Sequence, residues 1–162
     1  MSVAVDTTNP LRVAAFSHRA QTNYDFNRID VFYSTDGGAN WTVNAIDGND
    51  DGLGTGSRGD PTITFDAEGR LYICYGFLGG TGMTLMCAVD AQHGGASFDQ
   101  FTVVDSGLGS ELDKWIMTSG PDPTTGDPAV SCLHEKSNQQ RPCCGRGLKR
   151  RRRHLYVPGG DK

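Results

Sequence analysis

Ser34-Thr35-Asp36-Gly37-Gly38-Ala39-Asn40-Trp41 is the stretch on which the reading of the fold turns. Ile29-Asp30-Val31-Phe32-Tyr33 enters it and Trp41-Thr42-Val43-Asn44-Ala45-Ile46 leaves it, both rich in β-branched and aromatic residues. Two β-prone runs around Asp-Gly-Gly spell a hairpin. Glycine takes positive φ without a Cβ penalty, and the short carboxylate hydrogen-bonds nearby backbone amides. Trp41 then supplies a large apolar plate beside the turn.

Outward from the octet the same grammar continues. The 162 residues include 22 glycines and 7 prolines between short β-prone runs, which points to an all-β, turn-rich chain long enough for one domain with a real core. Strands are expected at 11–17, 29–34, 41–46, 61–65, 71–76, 83–89 and 101–104, all antiparallel. The clearest hairpin is Pro61-Thr62-Ile63-Thr64-Phe65 and Leu71-Tyr72-Ile73-Cys74-Tyr75 around Asp66-Ala67-Glu68-Gly69. No apolar run reaches the ~18 residues of a membrane span, so no membrane partner is expected. The start, Met1-Ser2-Val3-Ala4-Val5-Asp6, lacks the basic and apolar regions of a secretory signal.

A second copy of the octet lies downstream. Gly95-Ala96-Ser97-Phe98 aligns with Gly38-Ala39-Asn40-Trp41, with His93 where the first has Asp36, and Phe101-Thr102-Val103-Val104 then matches the exit strand. Trp41 and Phe98 are 57 residues apart, a period that suits four short strands with loops and indicates a propeller or another repeat array.

The spacing Ser34-x-Asp36-x-Gly38-x-x-Trp41 resembles the Asp-box, or BNR repeat, of sialidases (neuraminidases) and related β-propellers. In that family the box is a folding device between the outer two strands of a blade, remote from the catalytic centre. Gly95 and Phe98 then stand as a degenerate second box. Asp6-Thr7-Thr8-Asn9-Pro10 before the first strand resembles the turn that opens a blade, with Thr7 in place of a proline. Asp113-Lys114-Trp115-Ile116-Met117 resembles the start of a further blade. The resemblance spans about residues 4–130 and implies a partial β-propeller of about two to two and a half four-stranded antiparallel blades.

Sialidases hold the substrate carboxylate with an arginine triad, attack with a Tyr activated by a Glu, and use an Asp as acid/base. Their first arginine sits in a Phe/Tyr-Arg-Ile-Pro motif, which is absent here. Nothing in the spacing selects three of Arg12, Arg28, Arg58 and Arg70, and Tyr72 and Tyr75 read as strand residues, so the catalytic residues stay unassigned. The matching motifs are scaffold motifs. The resemblance implies a fragment of a sialidase-superfamily glycoside hydrolase, inactive on its own, whose intact parent acts on sialylated or other glycans outside the cell or in the periplasm. Two alternatives stay open: a non-catalytic BNR-repeat propeller that binds glycan or protein, and an Asp-box glycosidase acting on plant polysaccharide.

Asp47-Gly48-Asn49-Asp50-Asp51-Gly52 carries oxygen donors at alternate positions before a glycine, the spacing of calcium loops. Its twelfth position is Arg58 rather than the Glu of an EF-hand, and no helices flank it. Asp47, Asn49 and Asp51 are therefore candidate ligands of a loop calcium, set against the plainer reading of a solvated acidic loop; no cofactor is otherwise required. Arg58-Gly59-Asp60 spells an integrin-ligand tripeptide but reads better as a turn leading into the strand at Pro61.

Charge divides the chain. Through Leu133 there are 6 Lys and Arg against 17 Asp and Glu, a net of −11; beyond it there are 9 against 2, a net of +7, and together these make the overall −4. Residues 1–130 are accordingly read as propeller blades and residues 131–162 as a basic tail, disordered or foreign to the fold. The second strand of the last blade is expected to fail there. Back-translated with suitable codons and read one base later, residues 151–158 can encode Val-Asp-Gly-Ile-Phe-Thr-Ser-Pro, with Phe at the codon of Leu155, again 57 residues after Phe98. A frameshifted tail and a native basic tail are both open. Lys149-Arg150-Arg151-Arg152-Arg153 could contact phosphates, but no aromatic platform accompanies it and nucleic acid is not expected. Of five cysteines, Cys74 and Cys87 read as buried thiols, and no spacing makes a zinc site.

Overall fold

A computed structural model describes residues 2–18, 27–80, 82–90, 98–106, 112–121, 126, 128–136 and 152–155. The described chain is all-β: β1 (Val3–Val5), β2 (Val13–His18), β3 (Ile29–Ser34), β4 (Thr42–Ile46), β5 (Ser57–Phe65), β6 (Leu71–Gly79), β7 (Gly82–Asp90), β8 (Gln100–Asp105), β9 (Leu112–Pro121), β10 (Pro128–Lys136) and β11 (Arg152–Leu155). They form a four-stranded sheet in the order β1-β2-β3-β4, a second in the order β5-β6-β7-β8, and a three-stranded sheet in the order β11-β10-β9. Every strand pair is antiparallel. The architecture is a partial propeller, two blades and the beginning of a third. No helix among the described residues is long and apolar enough to cross a membrane.

Alternation along the strands decides how the sheets stack. In the first sheet Ala14, Phe16, Val31 and Tyr33 point one way, while Val13, Ala15, Phe32 and Val43 point the other. The Phe16 face packs against Ile63, Phe65, Leu71, Ile73, Tyr75, Met86 and Ala88 of the second sheet, with Phe98 completing the cluster. The opposite face of the second sheet, Tyr72, Cys74, Leu85, Cys87 and Val89, packs against Trp115 and Met117 of β9. The second sheet is thus covered on both sides, and β6 is buried continuously from Leu71 to Phe77.

Gly76 shows why its position takes no side chain. A Cβ there would run into the Trp115 ring, which lies across β6 and donates its indole N–H to the Cys74 carbonyl at 3.3 Å. Ser119 on the same strand donates its hydroxyl to the Phe65 carbonyl at 2.7 Å. Cys74 and Cys87 are cross-strand partners, both buried and both thiols.

Several expectations need correction. β1 was not anticipated, because three residues carry too little periodicity to be read alone. β5 begins at Ser57, four residues early: Asp60 takes a positive φ of 46° and the β5–β6 register shifts between Gly59 and Thr62, a bulge that lets Pro61 sit inside a strand. Arg58-Gly59-Asp60 is therefore strand and bulge rather than a turn ahead of the strand. The second strand of the third sheet does not fail after residue 130. β10 runs to Lys136 in register with β9, and Arg152–Leu155 pairs with it as β11, so part of the supposed tail is sheet. Val130-Ser131-Cys132-Leu133 is β-prone enough to continue a ladder that β9 already templates.

Candidate functional site

The β3–β4 hairpin shows what each residue of the octet does. Gly37 and Gly38 take φ of 74° and 93°, which a side chain would make costly. The Ser34 hydroxyl donates to Asp36 Oδ1 at 2.8 Å and accepts the Gly38 amide at 2.8 Å. Asp36 Oδ1 accepts the Asn40 amide at 2.9 Å, and its Oδ2 accepts the Asn40 side-chain amide at 2.7 Å. The Trp41 indole donates to the Gly38 carbonyl at 2.9 Å, so the ring lies over the turn while remaining partly exposed. The Gly37 amide donates to the Leu11 carbonyl at 2.8 Å and ties the hairpin to the turn before β2. These donors, led by the Asn40 backbone amide, hold the Asp36 carboxyl down at about 2. Apart from the Gly37–Leu11 bond, this chemistry is internal to the turn.

The second box behaves differently. Gly95 lies outside the described residues, while Phe98 is buried in the core between the two four-stranded sheets. Counted along the strand registers from the Asp6 and Asp66 turns, Asp99 rather than Phe98 occupies the place of Trp41. The two aromatics share a sequence period but not an environment.

A repeat that was not anticipated in the sequence lies at the opposite ends of the strands. Asp6 follows β1 and Asp66 follows β5, and each amide donates to the carbonyl of the arginine that closes its turn, Arg12 or Arg70, at 3.0 Å. Asp6 Oδ1 accepts the Thr8 amide and hydroxyl at 2.8 and 2.7 Å, and Oδ2 pairs with Arg12 at 2.7 Å. Asp66 Oδ1 accepts the Glu68 and Arg70 amides, both at 2.9 Å, and Oδ2 pairs with Arg70 at 2.6 Å. Burial works against the Asp6 charge, but the Thr8 bonds and the Arg12 guanidinium outweigh it and lower the carboxyl's pKa. Arg12 then reaches across the sheets, donating to the Gly69 carbonyl at 2.6 Å and to the Tyr33 hydroxyl at 2.7 Å. The sequence signal was available: an Asp directly after a strand, with an Arg directly before the next.

Arg58 is fully enclosed. Its Nε and Nη2 bracket the Asp51 carboxylate at 2.8 Å each, and its remaining N–H groups reach the carbonyls of Asn27, Gly54 and Gly56. The guanidinium carbon stands 4.9 Å from the centre of the Phe77 ring. Asp51 also accepts the Tyr75 hydroxyl at 2.8 Å and the Leu53 amide at 2.9 Å. Burial opposes the Asp51 charge, yet these bonds lower its pKa, while burial and the Asp51 charge push Tyr75 well up.

That geometry bears directly on the calcium loop. Asp47 Oδ1 accepts the Asn49 amide at 2.7 Å, and both oxygens of Asp51 accept N–H groups of Arg58. Among the described residues no group of three or more His, Cys, Asp or Glu could hold a metal. The Asp51 end of the loop folds around an arginine.

The other candidate arginines are engaged as well. Arg28 pairs with Asp30 at 2.6 Å, and Arg70 is held by Asp66 with Glu68 at 3.3 Å. The Tyr72 hydroxyl donates to Asp66 at 3.1 Å; burial, then the Asp66 charge, raise its pKa. The described residues thus bring together two Asp–Arg turns, each touching a tyrosine, the buried Asp51–Arg58–Tyr75 cluster, and the Asp36 hairpin. No protein-family model, no curated protein and no solved structure matches this chain.

Proposed function

We propose that this chain is a section of a sialidase-like Asp-box propeller, supplying blade scaffold and having no glycosidase turnover by itself. The observation that carries the reading is the Ser34–Asp36–Gly38–Trp41 network on the hairpin joining β3 and β4, the outer two strands of a four-stranded antiparallel sheet, which is where the resemblance expects the box. The intact parent then acts on sialylated or other glycans outside the cell or in the periplasm.

A second reading, a non-catalytic propeller that binds glycan or protein, draws support from the arginines. Arg12, Arg28, Arg58 and Arg70 each carry an ion pair with an aspartate of their own sheet or loop, and a sialoside carboxylate would have to displace it. Glycan-array binding without release of a fluorescent aglycone from a sialoside supports the binder. Turnover well above buffer, lost on mutating one of these four arginines, overturns both the scaffold and the binder readings.

A further inference from the structure

The centre of the second sheet holds two sulfurs opposite one another. Cys74 on β6 and Cys87 on β7 are directly opposed in the antiparallel register. Directly opposed residues put their side chains on one face of a sheet, and both of these join the cluster formed with Tyr72, Leu85, Val89, Trp115 and Met117. Opposed residues of an antiparallel pair have Cα atoms about 4.5 or 5.5 Å apart, depending on the kind of pair, and both values lie inside the span of about 4.4–6.8 Å that a disulfide bridges. The register thus supplies the Cα spacing of a disulfide.

Burial adds a second observation. Cys74 is 0% exposed and Cys87 3%. β9 provides the cover: Trp115 and Met117 pack on the sulfur-bearing face, and the Trp115 indole is tied to the Cys74 carbonyl across the space that Gly76 leaves open. A bond formed between these sulfurs is shut away from dissolved thiols. It would also join the two central strands of the sheet that is packed on both faces.

We propose that Cys74 and Cys87 form a redox-responsive latch, a dithiol under reducing conditions and a cross-strand disulfide under oxidising ones. Oxidation joins the two Sγ atoms, releases both thiol protons and passes two electrons to a low-molecular-weight disulfide such as oxidised glutathione. One cysteine thiolate attacks that disulfide and expels a first thiolate. The other cysteine then displaces the second from the mixed disulfide, and the two expelled thiolates take up the two protons. Because β9 closes over both sulfurs, exchange takes place while β9 is undocked, as during folding, and stops once Trp115 is seated. The latch rests on the β6–β7 register and its burial, so it stands or falls separately from the glycosidase reading.

Refolding the full chain from urea in a mixture of reduced and oxidised glutathione tests it. The product is quenched in acid, alkylated with N-ethylmaleimide in denaturant and cut with trypsin. No Lys or Arg lies between Leu71 and Lys114, so both cysteines leave on one peptide, away from Cys132, Cys143 and Cys144. Mass spectrometry should find that peptide unalkylated and lighter than the dithiol by its thiol hydrogens. Chymotrypsin, cutting after Tyr75 or Phe77, should leave its pieces held together by the bond. The ratio of disulfide to dithiol should be at least roughly tenfold higher than in the same chain kept in urea at the same glutathione ratio. The oxidised chain should then unfold at a higher urea concentration than the reduced one. Four results overturn the proposal: both cysteines alkylated after refolding, either one linked to Cys132, Cys143, Cys144 or glutathione, a ratio no higher than in urea, or an oxidised chain no more resistant to urea than the reduced one.

Discussion

The first and second sheets are built on one plan and live in different surroundings. Each is an antiparallel meander of four strands, and each joins its first two strands by an Asp turn closed with an arginine. The second is packed on both faces and the first on one. The side chains follow suit: Ile63, Phe65, Leu71 and Ile73 fill the face whose counterparts in the first sheet are Val3, Val5, Val13 and Ala15. Equivalent backbone positions thus differ in what they contribute, because the hydrophobic gain depends on area removed from water and not on membership in a strand. The Asp–Arg turns are common to both sheets because their bonds close locally, whichever face is covered.

The comparison breaks most severely at the joint between the two sheets. Arg58→Met leaves Asp51 buried beside an apolar side chain, and the unfolding free energy measured in urea should fall by about 3–5 kcal/mol, the usual cost of removing one partner of a buried pair. Next come the matched positions. Phe65→Ala should cost about 3–5 kcal/mol as a core truncation, whereas its equivalent Val5→Ala should stay within about 0.5 kcal/mol in dilute, monomeric protein. Similar losses at the two sites would show that the first sheet's outer face is covered.

Gly76→Ala tests the third layer. The added methyl meets Trp115, so an overpacking cost of about 1–3 kcal/mol is expected, together with a red-shifted tryptophan emission as the ring moves toward water. The smallest effect belongs to the hairpin and is read in acid. Asp36 is held at about 2 against an ordinary 3.8, so the folded state is stabilised by its charge above pH 3.8. That contribution is lost as the pH falls through about 2. Asp36→Asn should lower the urea midpoint at pH 5 and flatten its decline between pH 3.8 and 2. A variant with the parent's midpoint and slope would mean that the Asn40 bonds do not stabilise the turn.

How much of this was legible follows from how local each feature is. The octet could be read because Asp36 and Ser34 bond to groups within four residues of themselves. The hairpin at 61–75 could be read because Ile63, Phe65, Leu71 and Ile73 keep a period of two. β1 could not, since Val3-Ala4-Val5 becomes a strand only by pairing with β2. β10 was hidden by the change in charge after Leu133, which says nothing about a ladder already begun at Pro128. The Asp47–Asn49–Asp51 spacing suggested a cation, but spacing does not report that a guanidinium seven residues later takes both oxygens of Asp51. The match of Phe98 to Trp41 followed the sequence period faithfully and still paired a core residue with a turn residue.

The amino-acid sequence by itself determined that this protein is β throughout, where most of its strands run, and how the Ser34–Trp41 turn closes, because turn chemistry and a two-residue period act over a few residues. The tertiary structure alone decided which strand faces are buried, that Arg58 neutralises Asp51, and that Arg12 spans from one sheet to the next. Except for the seven-residue step from Asp51 to Arg58, these are set by groups tens of residues apart whose approach depends on how the sheets pack, and burial and charge pairing take their strength from the surroundings that packing creates.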